Sequence, residues 1–220
     1  MLYDFSQPIF NNVPQWPRFK PTSVTTPHMT AVGSATVERI ELMTHTGTHV
    51  DAPYHFFSDA EAVDQLSLRH FHAPCIVLDL RDKAAASGIT EKVLALLSPQ
   101  LSAGVIVLLK TGWGDKRALT KEFLTEWPYL TGDGARYLVS SGIHGVGIED
   151  LSIGGFDDPQ KEKEAHQVLL RAKNLIIEDI RIPEASLDGK LRHFAAFPIL
   201  IFGASGAWAR AVAWHQGELE

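Results

Sequence analysis

The 220-residue sequence holds a single cysteine, Cys75. A disulfide within the chain is therefore excluded, and so is a zinc knuckle built on thiolates. In the apolar run Cys75-Ile76-Val77-Leu78 the thiol reads as a small buried hydrophobe. Basic residues are few: 20 against 26 acidic ones, a formal net charge of -6, with no basic stretch. That balance argues against nucleic acid as a partner. No apolar segment approaches the roughly 20 residues that cross a bilayer. The start, Met1-Leu2-Tyr3-Asp4-Phe5-Ser6, lacks the basic-then-apolar pattern of an export signal. A cytoplasmic protein with neither membrane nor nucleic-acid partner is the expectation. Internal repeats, low-complexity tracts and long linkers are also lacking.

What is present suits one large domain spanning residues 1–220. Hydrophobic residues make up 45% and charged residues 21%, ample for a core. The first 35 residues, rich in Pro, Thr and Asn, read as irregular chain wrapped onto the domain. Val37 to Val50 is β-branched and roughly alternating, which predicts a strand. Strands are also expected at Cys75–Leu80, Val105–Leu109, Gly145–Ile148 and Leu175–Ile180. Two more are expected at Phe194–Phe202 and Trp208–Trp214, joined by a Gly-Ala-Ser-Gly turn. Thr90 caps a predicted helix that runs to Leu97 and stops before Pro99. Further helices are expected at Asp133–Ser140 and Lys161–Lys173, the latter with Leu169 and Leu170 inward. Alternating strands and helices give an α/β domain whose strand order is not readable.

The densest chemistry lies in His45-Thr46-Gly47-Thr48-His49-Val50-Asp51-Ala52-Pro53-Tyr54-His55-Phe56. Three histidines and an aspartate fall within eleven positions, the raw material of a metal site. One histidine on an apolar strand is usually a hydrogen-bonded core residue. Packing has no use for so many polar groups together. The spacing of His45 and His49 would suit a helix, but Thr46, Gly47, Thr48 and Val50 are poor helix formers and Pro53 disfavours helix before it. In an extended chain, His45 and His49 have Cα atoms about 13 to 14 Å apart. Either the chain bends at the permissive Gly47, or two metals bind and Asp51 bridges them. More ligands are needed from elsewhere. His166 and Glu178 are candidates, because a reversal at Lys173-Asn174 would bring helix and following strand to similar height.

The run from His45 to Phe56 resembles the signature of the metal-dependent cyclase family, which includes bacterial kynurenine formamidase, isatin hydrolase and trans-dienelactone hydrolase. The resemblance continues through Trp16-Pro17, Leu109-Lys110-Thr111-Gly112-Trp113, Gly147-Ile148-Glu149-Asp150-Leu151-Ser152-Ile153, Ala165-His166-Gln167-Val168-Leu169-Leu170 and Glu178. It implies a single-domain swivelling β/α fold, assembled as a homodimer or homotetramer. It implies His45, His49 and Asp51 as a first ligand group and His166 and Glu178 as distal ligands. The ions implied are zinc, one or two, or manganese. If two ions bind, Asp51 and Glu178 are the bridging carboxylates. His55 matches the family's proton-transfer histidine, and Trp16 a substrate-contacting aromatic residue. The chain departs from the formamidases at Arg18-Phe19-Lys20, where a Gly-Asp turn is frequent. It departs again at Gly154, in place of aspartate, and at Gln167, in place of a second histidine.

The chemistry so implied is hydrolysis of a small aromatic amide or lactone by metal-activated water, with His55 carrying the proton. Trp16, with Trp113 or Phe56, would pack against a planar ring. An arylformamidase acting on N-formylkynurenine in tryptophan degradation is the first choice. Isatin hydrolase and dienelactone hydrolase are the alternatives within the family. Two rivals come from other classes. One is a non-catalytic metal-dependent binder of small molecules. The other is a serine hydrolase built on Gly203-Ala204-Ser205-Gly206-Ala207, which nearly matches a nucleophile elbow. Only 15 residues follow Ser205, too few for the acid and base of that fold. His28, His70, His72, His144, His193 and His215 read as structural or exposed.

Overall fold

Four parallel strands form the centre of the computed structural model, which describes residues 2–98, 101–188 and 192–215. In chain order the strands are β1 (Leu2–Asp4), β2 (Ser23–His28), β3 (Val37–Glu41), β4 (His49–Asp51), β5 (His72–Asp79), β6 (Gly88–Ile89), β7 (Ile106–Lys110), β8 (Tyr129–Leu130), β9 (Gly145–Ile148), β10 (Leu175–Glu178), β11 (Arg192–Pro198) and β12 (Gly206–His215). The helices are α1 (Glu91–Leu97), α2 (Lys121–Thr125), α3 (Gly132–Ser140) and α4 (Pro159–Arg171). The main sheet runs β1-β12-β11-β5-β7-β9-β10-β4. Strands β5, β7, β9 and β10 are parallel, while β11, β12 and β4 run antiparallel to their neighbours. Because β4 pairs with both β10 and β12, the sheet closes on itself.

Alternation along the strands separates two cores. Ile106, Leu108 and Ile177 point to one side with Phe5, Val50, Cys75 and Phe194. Val107, Leu109 and Ile176 point to the other, where Leu94, Leu138 and Leu169 of the helices cover them. The α/β reading therefore holds, and Cys75 is buried among hydrophobes as its sequence context indicated.

Each helix starts on a side-chain cap. Thr90 Oγ1 accepts from the Val93 N–H at 3.4 Å, Thr120 from Phe123 at 3.2 Å and Thr131 from Gly134 at 3.4 Å. Asp158 Oδ1 accepts from Gln160 at 2.9 Å and Lys161 at 3.3 Å. That cap, with Pro159 in the first turn, starts α4 two residues before the expected Lys161. Helix α1 ends at Leu97, as expected. Pro99, the expected stop signal, lies outside the described residues.

Three expectations fail on local grounds. The predicted strand from Val37 to Val50 is two strands, β3 and β4, broken at Gly47, whose φ of 73° turns the chain. Strand β3 leaves the main sheet and pairs with β2 instead. The first 35 residues are not all irregular: β1 extends the main sheet against β12, and β2 belongs to that hairpin. The strand expected to reach Phe202 stops at Pro198, because Ile199-Leu200-Ile201 is irregular chain leading into a turn at Phe202-Gly203. Its apolarity comes from an exposed tip, with Leu200 80% and Phe202 94% exposed. Alternation cannot tell an exposed apolar turn from a strand.

Candidate metal centre and cavity

Strand β4 carries the centre of the site. Its register sets His49 opposite Glu178 on β10 and Asp51 opposite Gly206 on β12. His49 and Asp51 alternate with Val50, so both face the helix layer while Val50 enters the other core. Glu178 shares the face of Ile176, the helix side. The lone glycine opposite Asp51 matters. A Cβ on Gly206 would lie 2.6 Å from His45 Cε1 and 2.7 Å from the Val50 carbonyl, so the missing side chain makes room for the imidazole.

The reach problem posed by His45 and His49 is resolved by the bend at Gly47. Their ring centroids lie 5.1 Å apart. His45 Nδ1 sits 2.8 Å from Asp51 Oδ1, and its Nε2 sits 2.9 Å from Ser205 Oγ. On α4, His166 faces β10 across the reversal at Lys173, where φ is 58°. Its Nε2 is 3.0 Å from Glu178 Oε1 and 3.7 Å from Asp51 Oδ2. His49 Nε2 lies 3.3 Å from Glu178 Oε2 and 3.5 Å from Asp51 Oδ1. His55 ends the short turn Pro53–His55 and stacks on His45, centroids 3.9 Å apart. All six residues therefore meet at one point. Among the described residues, two sets have donor atoms within 4.8 Å of one another: His45, Asp51 and His55, and His49, Asp51 and Glu178. Asp51 belongs to both.

The donor set fits a divalent cation on three observations. His49 Nδ1–H donates to the Gly47 carbonyl at 2.8 Å, and His166 Nδ1–H to the Glu162 carbonyl at 2.9 Å. Each ring thus turns its Nε2 toward two carboxylates, an orientation that backbone partners give to metal-ligating histidines. Second, His49 Nε2 and Asp51 Oδ2 are buried without a hydrogen-bond partner, which is costly unless a cation or proton sits between them. Third, the charges compensate in the ion's place. Burial opposes charging His49, yet the Asp51 and Glu178 carboxylates raise its pKa to about 10. Burial likewise opposes ionising Asp51, but His55 and His45 hold it well below the usual carboxylate range. Burial and the Asp51 charge work against Glu178, and the His166 and His49 contacts bring it down. His55 differs: burial first, then His45 and His166, lower its pKa to about 4 against the pull of Asp51, so it is neutral at physiological pH.

A cavity of about 210 Å³ lies over this set, with His45, His55, His166 and Glu178 in its wall. Trp16, Phe19, Phe56 and Leu151 supply the apolar remainder. Trp16 is wedged against Trp127 and Phe156, centroids 5.7 and 5.2 Å away, and Phe56 stacks on His166 at 4.8 Å. Trp113, the alternative to Phe56, is absent from the wall. It is buried with Phe123 and Trp127 and donates its Nε1–H to the Phe123 carbonyl at 3.3 Å. Glu162 and Ser152, which the sequence did not single out, also line the cavity. Ser205, weighed from the sequence as the nucleophile of a serine hydrolase, touches His45 yet does not line the cavity.

The outer motifs brace the segments next to the site. Thr111 donates to Asp150 at 3.0 Å, and Glu149 accepts from the Gly112 and Ile182 N–H groups at 2.6 and 2.8 Å. Asp179, next to Glu178, is held by Arg117 Nη2 at 2.7 Å. Gly154 faces the first turn of α4, where a Cβ would come within 2.5 Å of the Glu162 carbonyl. An aspartate there would push that helix away.

Comparison with known proteins places the chain in a family. Residues 3–154 match the Cyclase family model, described as "Putative cyclase". The chain is 31% identical over 210 residues to a kynurenine formamidase of Bacillus cereus, covering 95% of each. A solved structure described as "predicted metal-dependent hydrolase from Bacillus stearothermophilus" is 30% identical, covers 97% of both chains and superposes with a TM-score of 0.76. Isatin hydrolase A from Labrenzia aggregata superposes with a TM-score of 0.86 over 97% of this chain and 93% of its own, at 19% identity, a likeness of fold. The match over most of the length, with the His45-to-Phe56 run inside it, shows that the chain belongs to the cyclase family of metal-dependent hydrolases.

Proposed function

We propose that this chain hydrolyses the amide bond of a small aromatic substrate, as an arylformamidase acting on N-formylkynurenine. The carrying observation is the convergence of His45, His49, Asp51, His166 and Glu178 beneath a cavity walled by aromatic rings. In this reading His45, His49, Asp51, His166 and Glu178 would hold one or two ions, with Asp51, which belongs to both donor sets, available to each. A divalent ion there, zinc or manganese, makes a carbonyl more electrophilic and a water more acidic. Trp16 and Phe56 flank the substrate ring and exclude solvent. His55 is neutral, in the cavity wall and stacked on His45. One of its ring nitrogens accepts a proton from the attacking water and returns it to the departing amine nitrogen. The whole of residues 1–220 serves as one such domain, in the cytoplasm. The exposed apolar tip at Leu200 and Phe202 supports a homodimer or homotetramer.

One contact favours a second reading. Asp51, His45 and Ser205 line up at 2.8 and 2.9 Å like a serine-hydrolase triad. Ser205 is outside the cavity wall, and Asp51 is shared with two other imidazoles, so we prefer the metal reading. Elemental analysis of purified protein, combined with turnover of N-formylkynurenine and isatin, tests it. We expect one or two equivalents of metal, faster formamide hydrolysis, and inhibition by a chelator. Full activity with chelator and loss with a serine-reactive phosphonate would establish the triad instead.

A further inference from the structure

Glu162 lies one helical turn before His166 on α4, and its carbonyl accepts the His166 Nδ1–H. Its side chain lines the cavity. There Oε1 is buried and accepts no hydrogen bond, although Arg18 Nη1 lies 3.2 Å away. Arg18 instead donates to Oε2 at 3.3 Å and, through Nη2, to Asp157 at 3.5 Å. The guanidinium is 5.9 Å above the Trp16 ring and 5.5 Å above that of Phe156, with the side chain 57% exposed. A guanidinium has five N–H donors, so capacity remains for a ligand. An acid with an unused buried oxygen and a base with unused donors thus stand together beside Trp16.

We infer that Arg18 and Glu162 form a subsite for the zwitterionic head of an aromatic α-amino acid. Glu162 Oε1 accepts from the ammonium, and Arg18 donates to the carboxylate. The distance along α4 from His166 to Glu162 is about 6 Å, the scale of one substituted aromatic ring. The ring then lies between Trp16 and Phe56, with its formamide at the His45, His55 and His166 end. The substrate class is an N-formyl arylamine carrying an amino-acid side chain, rather than a neutral aryl amide, lactam or lactone. A neutral ligand leaves the buried Glu162 oxygen without a hydrogen bond, a cost that disfavours it. This subsite rests on the amide-hydrolase reading above and assigns its specificity to Arg18, a residue at which this chain departs from the formamidase pattern.

The test is calorimetric titration with three ligands: L-kynurenine, the des-amino acid derived from it, and the decarboxylated amine. L-kynurenine should bind about tenfold tighter than either, as one charge-assisted contact warrants. Glu162→Gln should abolish the advantage over the des-amino acid, and Arg18→Gln the advantage over the amine. Both substitutions keep side-chain volume near the protein surface, and thermal melting checks the fold. Equal binding of the three ligands by the native protein overturns the inference, as does an equal loss for all three in either variant. Turnover of N-formylkynurenine, which carries the head group, reports the hydrolase reading separately. Hydrolysis of N-formylkynurenine without ligand preference keeps the function and removes the subsite. Preference without hydrolysis keeps the subsite and removes the function.

Discussion

His55 differs from its neighbours in its partners. His49 and His166 each use Nδ1–H on a backbone carbonyl and aim Nε2 at carboxylates. His55 is held by stacking, and its pKa is driven down to about 4, first by burial. A histidine restrained by stacking rather than by backbone hydrogen bonds is free to exchange a proton. His55→Ala should therefore bind metal with native stoichiometry and lose about 100-fold or more in kcat. Elemental analysis alongside steady-state kinetics checks both halves. Loss of metal with loss of activity would make His55 a ligand, as its membership of the His45–Asp51 set allows. At this scale the sequence was informative, because the density of imidazoles between 45 and 55 has no packing explanation. It could not divide their roles, since hydrogen-bond partners come from residues such as Ser205, 160 positions from His45.

At the scale of elements, the site depends on β4, three residues long, held between β10 and β12. The shortness follows from Gly47 before it, at φ 73°, and Pro53 after it. The register against β12 leaves Gly206 opposite Asp51, and the space above that glycine is filled by His45. Gly206→Ala should push the His45 ring from its place. We expect a loss of about 1–3 kcal/mol in stability from overpacking, together with at least tenfold weaker metal binding from displacement of a ligand. Urea unfolding and competition with a chromogenic chelator measure the two. Helix starts were legible because their caps are local: Thr90 is three residues from the N–H it accepts. The β2–β3 hairpin was not, because pairing between Ser23 and Glu41 is decided by partners rather than by alternation.

For the whole molecule, closing the sheet and packing α4 on it bring five side chains from three stretches of the chain to one centre. The centre then contains two fully buried carboxylates, Asp51 and Glu178, facing three imidazoles. A divalent cation held by this arrangement would bind only the folded state and so would stabilise the fold by mass action. Removing metal with a chelator should lower Tm by roughly 5 °C or more, and restoring zinc or manganese should return it. An unchanged Tm after verified metal removal would contradict a centre that bridges β4, β10 and α4. Scanning calorimetry provides the reading.

By itself the sequence determined the α/β class, the absence of a disulfide within the chain, the capped helices and the run that carries the candidate ligands. All of these depend on composition or on residues a few positions apart, where side-chain chemistry and periodicity act directly. Only the tertiary structure decided that the chain bends at Gly47, that Glu178 stands opposite His49, and that Trp113 is core while Phe56 and Glu162 face the cavity. Those outcomes depend on strand register and on contacts between distant segments. Register is set by which faces can be buried together, and that is a property of the closed sheet rather than of any one stretch of it.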